Sequence, residues 1–308
     1  MTLDVRKIRY FVSVFEEGSF SRAAERENVV QPALSIQIKQ LETELCVKLF
    51  ERSTQGIQPT PAGQHFYRLC KDLLRALESA GQQMRDFGGT ISGFIRVGIM
   101  PSICRGPLAT ILARYSDAYP DVEIKILEAY SGTLADSVVA GELDFAICNR
   151  PASQTGLKLR LLHRDRVILV SGTMKKLTPW KACRLAEVPD LKLVLPSSQH
   201  SLRRLLDKHI KAGRIKPARV IEMDGLGATM RFVQSSDWST TLPSVAVIDD
   251  AKSDSFILNP IASPDLSSDM YELHLPERPL SLPAQKLVQM VHDELLRTPN
   301  YLKIKHYI

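Results

Sequence analysis

The sequence predicts an α+β chain in three parts: a small helical module at the N-terminus, one long helix, and a larger α/β body of two lobes. Three observations carry that prediction. Apolar residues recur at intervals of three and four in short blocks up to residue 45, the same beat runs from Phe66 to Phe87, and after residue 90 β-branched runs alternate with helical stretches. A chain of 308 residues exceeds one ordinary core, and with 44% hydrophobic residues it can bury several.

In the first block Val5, Ile8, Phe11, Val12 and Phe15 share one helical face, and Gly18 with Ser19 ends the helix near Glu17. A short second helix starts around Ser19 to Ser21, where a serine caps free amides, carries the small Ala23 and Ala24, and stops near Asn28. Residues 28–42, NVVQPALSIQIKQLE, open the third. Pro32 suits a first helical turn, where its missing donor costs nothing, and Leu34, Ile38, Leu41 and Leu45 make one core stripe. Residues 48–63, KLFERSTQGIQPTPAG, read as a small hairpin, or wing. Thr60-Pro61 then signals a helix of about 27 residues, roughly 40 Å long. Its stripe is Phe66, Leu69, Leu73, Leu77, Ala80, Met84 and Phe87. Nothing in its own segment can cover that stripe, so a second copy or another domain must. Gly88, Gly89 and Gly93 give a hinge.

Beyond the hinge, FIRVGI (94–99), VEIKIL (122–127) and LDFAIC (143–148) read as strands separated by helices around 106–118 and 132–141. Such βαβαβ order implies a mainly parallel sheet covered on both faces. A second unit follows: strands RVILVS (166–171), LKLVLP (191–196), RVIEM (219–223) and TLPSVAVI (241–248), with helices from Ser201 to about Ala212 and near 225–235. YELHL (271–275) and a helix from Pro283 to Leu296 return to complete the first unit.

Composition excludes several function classes. Charged residues are 24% of the chain and apolar runs such as Val167 to Val170 are far too short for a membrane span. With no secretory pattern in MTLDVRKIRY, the expected location is the cytoplasm. Five cysteines lack any C-x-x-C spacing and read as reduced core thiols, and seven histidines form no metal pattern. No G-x-S-x-G, P-loop or G-x-G-x-x-G arranges a catalytic set, so an enzyme is not expected. The net charge of +6 permits an anionic partner, yet residues 1–90 hold 12 Lys and Arg against 11 Asp and Glu. If this segment binds DNA, placement of charge matters more than its total.

Placement is legible on the third helix. At 100° per residue Ile38, Leu41 and Leu45 fall within about 40° of Leu34, and Pro32, Ile36, Lys39 and Gln40 lie opposite. With Ser35 on the flank, the outward face carries short polar groups and one aliphatic tip, which suit base edges, a thymine methyl and phosphate. A small helical subdomain with a stray exposed isoleucine would show the same local pattern. The order of elements separates the two: helix, short helix, polar-faced helix, wing with Arg52, then a long helix is winged helix-turn-helix architecture.

The chain resembles the LysR-type transcriptional regulators over almost its whole length. Residues 18–63, GSFSRAAERENVVQPALSIQIKQLETELCVKLFERSTQGIQPTPAG, carry the resemblance together with FIRVGIMPS and GELDFAIC. The resemblance implies DNA contacts from Gln31, Pro32, Ser35, Gln37 and Lys39, with Arg52 and the wing on the backbone; the outward Ile36 joins them. It implies a DNA-binding domain over 1–60, a dimerising linker helix over 61–90 and an effector-binding domain over 91–308. Lobe I would span about 91–163 and 268–308, and lobe II about 164–267. Two departures stand out: Val30 replaces the serine that usually caps the recognition helix, a loss worth about 1 kcal/mol, and Ile36 replaces a longer polar residue.

The effector domain implied by the resemblance is like a periplasmic binding protein, with a ligand between its lobes. Ligand crevices in open α/β sheets lie beyond strand carboxyl ends, where helix N-termini offer amides to anions. Pro101-Ser102, Ser131, and Ser197-Ser198 with His200 and Arg203 nearby hold that relation to their strands. Each serine could equally be an ordinary cap; together they suggest a small organic anion. In FVQSSDWSTTLPSV a third departure puts Asp237 and Trp238 where the family has a glycine-containing run. Either residue could reshape the pocket, or Trp238 could simply pack between lobes. The expectation is a ligand-responsive regulator acting as a homodimer or homotetramer on double-stranded DNA, needing no cofactor or metal. The rival is a small-molecule binding or transport protein with no transcriptional role.

Overall fold

Thr60 closes the N-terminal core by bonding to two elements at once. Its hydroxyl donates to Lys48 O at 2.7 Å and accepts from Gly63 N at 3.0 Å, capping the helix that follows. The computed structural model describes residues 3–53, 56–89, 91–152 and 156–303, with side chains of 52–53, 56 and 298–303 outside the description. It divides into two compact units, Met1–Gly88 and Gly89–Ile308.

The first unit contains α1 (Val5–Glu17), α2 (Phe20–Arg26), α3 (Gln31–Leu45), the antiparallel hairpin β1 (Phe50–Ser53) with β2 (Gly56–Pro59), and α4 (Pro61–Phe87). Asp4 caps α1, which ends at Gly18 in the left-handed conformation, and Ser19 caps α2. The core is Ile8, Phe11, Ala23, Leu34, Ile38, Leu41 and Leu49, so the faces expected from spacing are the buried ones. Leu45 is only half-buried. Gly63 must be glycine: a Cβ there would lie 2.2 Å from Leu49 O. Along α4, Leu69, Leu73, Leu77, Met84 and Phe87 are exposed, while Phe66 packs on the core.

The second unit contains β3 (Gly93–Ile99), α5 (Pro101–Arg105), α6 (Leu108–Ala118), β4 (Val122–Glu128), α7 (Ser131–Val139), β5 (Phe145–Asn149) and β6 (Lys158–Ser171). It continues with β7 (Cys183–Arg184), β8 (Lys192–Leu195), α8 (Ser201–Lys211), β9 (Arg219–Glu222), α9 (Leu226–Gln234), β10 (Ser239–Pro243), β11 (Ile257–Ser263), β12 (Ser267–His274) and α10 (Leu282–Lys303). The strand order is β4-β3-β5-β12-β6-β10-β8-β9, with β11 on β6 and β7 on β11.

Two parallel sets, β4-β3-β5 and β10-β8-β9, sit at the ends of this path and the strands joining them run antiparallel. The expectation of a mainly parallel sheet therefore holds only within each lobe. RVILVS is not a separate strand: it is the second half of β6, whose first half pairs with β12 and whose second half pairs with β10 and β11. The TLPSVAVI strand stops at Pro243, because Ser244–Val247 turn into a 3-10 helix tied to the buried Asp165, which accepts from Ser244 Oγ and Val245 N. The helix expected over 106–118 runs unbroken from Leu108 to Ala118, and a separate short helix, Pro101–Arg105, precedes it and ends at Gly106, where a Cβ would meet Val245 O at 2.1 Å. Lobe I has one core, into which α10 inserts Leu287, Val291 and Leu295, and lobe II has one on each sheet face.

Candidate DNA interface and ligand cleft

On α3 the apolar stripe faces inward and leaves Gln31, Pro32, Ile36 and Lys39 exposed, with Ser35 and Gln37 half-buried. Gln31 Nε2 donates to Ser35 Oγ at 2.9 Å, aligning two polar groups on one edge. Lys39 has no ion pair among the described residues, leaving its charge available to phosphate. Val30 precedes the helix with extended backbone and makes no side-chain cap; Pro32 has no amide to offer, and Ala33 N turns back to Val30 O at 3.0 Å. Arg52 pairs through its backbone with Ile57; its side chain lies outside the described residues.

Glu42 fixes the wing to this helix. Its carboxylate accepts from Leu49 N at 2.8 Å and Phe50 N at 3.2 Å and pairs with Lys48 at 2.9 Å. Burial alone would raise its pKa, but these partners outweigh burial and hold the carboxyl below its usual value. A charged Glu42 therefore sets the wing against α3.

Within the second unit, a cavity of about 350 Å³ opens between the lobes, a volume suited to a small molecule. It is lined by the starts of α5, α7, α8 and α9 and by β10. None of those four helices has a side-chain cap, since their N-cap residues are Met100, Tyr130, His200 and Gly225. Two hydroxyls on the walls, Ser102 Oγ and Thr241 Oγ1, are buried without a hydrogen-bond partner. A buried hydroxyl left unpaired costs about 1–3 kcal/mol, so a polar ligand atom reaching either one gains that much.

The cleft also has a contact across it. The Tyr130 ring from lobe I meets the His200 ring of lobe II edge-on, with centroids 3.7 Å apart. His200 Nε2 lies 3.0 Å from Asp224, whose carboxylate also accepts from Ser197 N at 2.8 Å. Burial, with Arg204 adding to it, lowers the His200 pKa despite Asp224. Asp224 is held below its usual value, first by the Ser197 amide.

Pro101, Ser102, Ser131 and His200 all line the cavity, whereas Ser197, Ser198 and Trp238 do not. Ser197 is drawn aside by Asp224, and Ser198 is exposed beyond the turn. Trp238 is 7% exposed in the lobe II core, packed on Phe232 under the Arg219 guanidinium. Asp237 bonds Lys192 at 2.7 Å instead of reaching the cavity, and Arg203 is engaged by Asp207, Glu222 and Pro196 O. Tyr130, Thr241 and Arg204 line the cleft unforeseen. Tyr130 was within reach of sequence reasoning, since it ends a strand just before Ser131; Thr241 was hidden by an assumed strand running through to Ile248.

Not all cysteines are core thiols. Cys70 and Cys148 are buried, Cys104 and Cys183 half-buried, and Cys46 is exposed at the end of α3. Among the described residues no cluster of three His, Cys, Asp or Glu could hold a metal, and no helix is long and apolar enough to cross a membrane.

Comparison with known proteins gives the same division. The nitrogen assimilation regulatory protein nac of Klebsiella aerogenes is 27% identical over 245 residues, 79% of each chain. A Corynebacterium glutamicum OxyR C206 mutant matches with TM-score 0.67 at 23% identity, over 100% of this chain and 97% of that one. Full-length CbnR, solved with its target DNA, matches with TM-score 0.66 at 19% identity, over 94% and 99%. The model of the bacterial regulatory helix-turn-helix protein, lysR family, matches residues 5–64, and that of the LysR substrate binding domain residues 88–296. Those spans meet the wing module and the cleft-bearing unit, and the chain belongs to the LysR family of transcriptional regulators, DNA-binding proteins with an effector-binding domain.

Proposed function

We propose that the effector is a small organic anion bound between the lobes, and that its binding alters oligomer geometry and DNA bending. The carrying observation is the cleft itself: uncapped helix N-termini surround two orphaned hydroxyls, a donor-rich wall for a carboxylate. Pro101, Ser102, Ser131 and His200 serve here with Thr241. Residues 1–60 read DNA through Gln31, Pro32, Ser35, Ile36, Gln37, Lys39 and Arg52, while 61–90 pair subunits through the exposed stripe of α4. The regulator acts in the cytoplasm as a homodimer or homotetramer, without catalysis. A ligand shifts lobe angle only if it binds one angle better than another, and a ligand spanning both lobes does so.

Thiol sensing is the less favoured reading. Burial pushes Cys70, Cys104 and Cys148 up to about 12 and Cys183 up to about 11, which leaves them protonated and unreactive near neutral pH. The test is calorimetry of the full-length protein with a panel of organic acids and their neutral amides. An acid should bind, its amide should not, and Ser102→Ala should weaken binding by roughly tenfold. Equal binding of an acid and its amide would sink the anion reading. Footprinting on DNA beside the protein's own gene, with and without the binding acid, reports the bend; an unaltered footprint and bend would overturn the geometric mechanism.

A further inference from the structure

Residues 201–219, SLRRLLDKHIKAGRIKPAR, hold seven Lys and Arg against one acidic residue, so this short segment carries a net charge equal to the whole chain's +6. The remainder of the sequence is balanced. Arg203 and Arg204 are used internally, on Asp207 and Glu222 and on the carbonyls of the 196–199 turn. Lys208, Lys211, Arg214, Lys216 and Arg219 are exposed, and none has an ion pair among the described residues.

The backbone holds these five in place. Lys208 and Lys211 lie one turn apart on α8, which is anchored by the fully buried Leu206. Gly213 turns the chain in the left-handed conformation, and Arg214 N bonds back to His209 O at 2.9 Å. Ile215, 1% exposed, plugs the lobe II core, so Arg214 and Lys216 on either side project into water. Ala218 N bonds Leu191 O at 2.8 Å and leads into β9 at the sheet edge, where the Arg219 guanidinium rests 5.3 Å from the Trp238 ring.

Two ordinary explanations cover part of this. Cations in the last turn of α8 oppose its dipole, which accounts for Lys208 and Lys211. A charged residue on an edge strand blocks strand addition, which accounts for Arg219. Neither accounts for Arg214 and Lys216, placed by a buried anchor and beside other cations. Burial lowers the His209 pKa and the nearby Arg214 adds to it, so that imidazole stays neutral beside the patch.

We propose that this surface of lobe II binds DNA phosphate, as a second, sequence-independent contact besides the recognition helix. It rests on the chain's being a DNA-binding regulator and explains how a near-neutral reading module gains electrostatic hold on a polyanion. The occupant is a duplex backbone, since exposed, unpaired cations without base-reading amides or an apolar centre suit phosphate.

The test is the salt dependence of binding to a long mixed-sequence duplex, followed by anisotropy with the full-length protein. Each neutralised phosphate contributes about 0.9 to the slope of log K against log salt. Replacing Lys208→Gln, Lys211→Gln and Arg214→Gln together should flatten the slope by about 2 to 3 per protomer. Circular dichroism should show an unchanged melt, and Arg214→Lys alone should leave the slope as in wild type. A wild-type slope that the triple variant does not change overturns the inference and leaves DNA reading intact. If that variant keeps its slope but fails to regulate transcription in a purified system, the patch serves an acidic protein and the DNA assignment is wrong. A wild-type protein with no affinity for duplex overturns both.

Discussion

Val30 shows how one residue sets the start of the reading helix. Its side chain cannot accept a hydrogen bond, and α3 begins without a side-chain cap beside the residues proposed to face DNA. Val30→Ser should stabilise the free protein by about 1 kcal/mol. Calorimetric melting without DNA checks this; an unchanged transition would show that the Val30 carbonyl already satisfies the Ala33 amide as well as a hydroxyl would. Trp238 teaches the opposite lesson about residues. Its sequence context allowed a pocket wall or a packed core, and the lobe II core claims it because Phe232 and Arg219 cover both the ring and its approach.

Between elements, one set of contacts carries a testable consequence. Glu16 on α1 accepts from Tyr67 Oη at 2.7 Å and pairs with Lys71 at 3.0 Å, both on α4, and with Arg26 at 2.8 Å. Burial pushes its pKa up, but the hydrogen bonds from Tyr67, Lys71 and Arg26 prevail and hold it below 4.5. The unfolded chain then takes up this proton first as pH falls. Its stabilisation is complete above 4.5 and is lost as pH drops through the folded value. Glu16→Gln should lower the melting temperature at neutral pH and narrow its gap to wild type in acid. A gap that stays constant down to acid pH would rule out the charged tie.

At the scale of the whole molecule, the long helix presents an apolar face that its own unit does not cover. Leu73 and Leu77 are 42% and 45% exposed, and Phe87 is 87% exposed. A stripe of this length supports the pairing role proposed for α4, and on that reading Leu73→Glu with Leu77→Glu should lower the sedimentation mass by at least half. An unchanged mass would place subunit pairing elsewhere. The lobes have two crossings, one through β6 near Asp165 and one between β11 and β12, and β6 belongs to both sheets. A ligand that changes lobe angle must bend there.

Periodicity determined the helices and most strands, because burial of one face imposes a 3.6- or 2-residue beat on the chain itself. It also determined the outward set on α3, since the buried Leu34, Ile38 and Leu41 fix where the others point. Tertiary structure decided what periodicity does not encode. One apolar run reads alike whether it is a whole strand or half of β6, and TLPSVAVI reads as one strand until the buried Asp165 takes Ser244 and Val245. The cleft was half legible for the same reason. Strand ends place Ser102, Ser131 and His200 by local order, but the pairing of Tyr130 with His200 and the exclusion of Trp238 depend on residues far apart in sequence. Only packing brings those together, and packing energy depends on shape and partner rather than on sequence spacing.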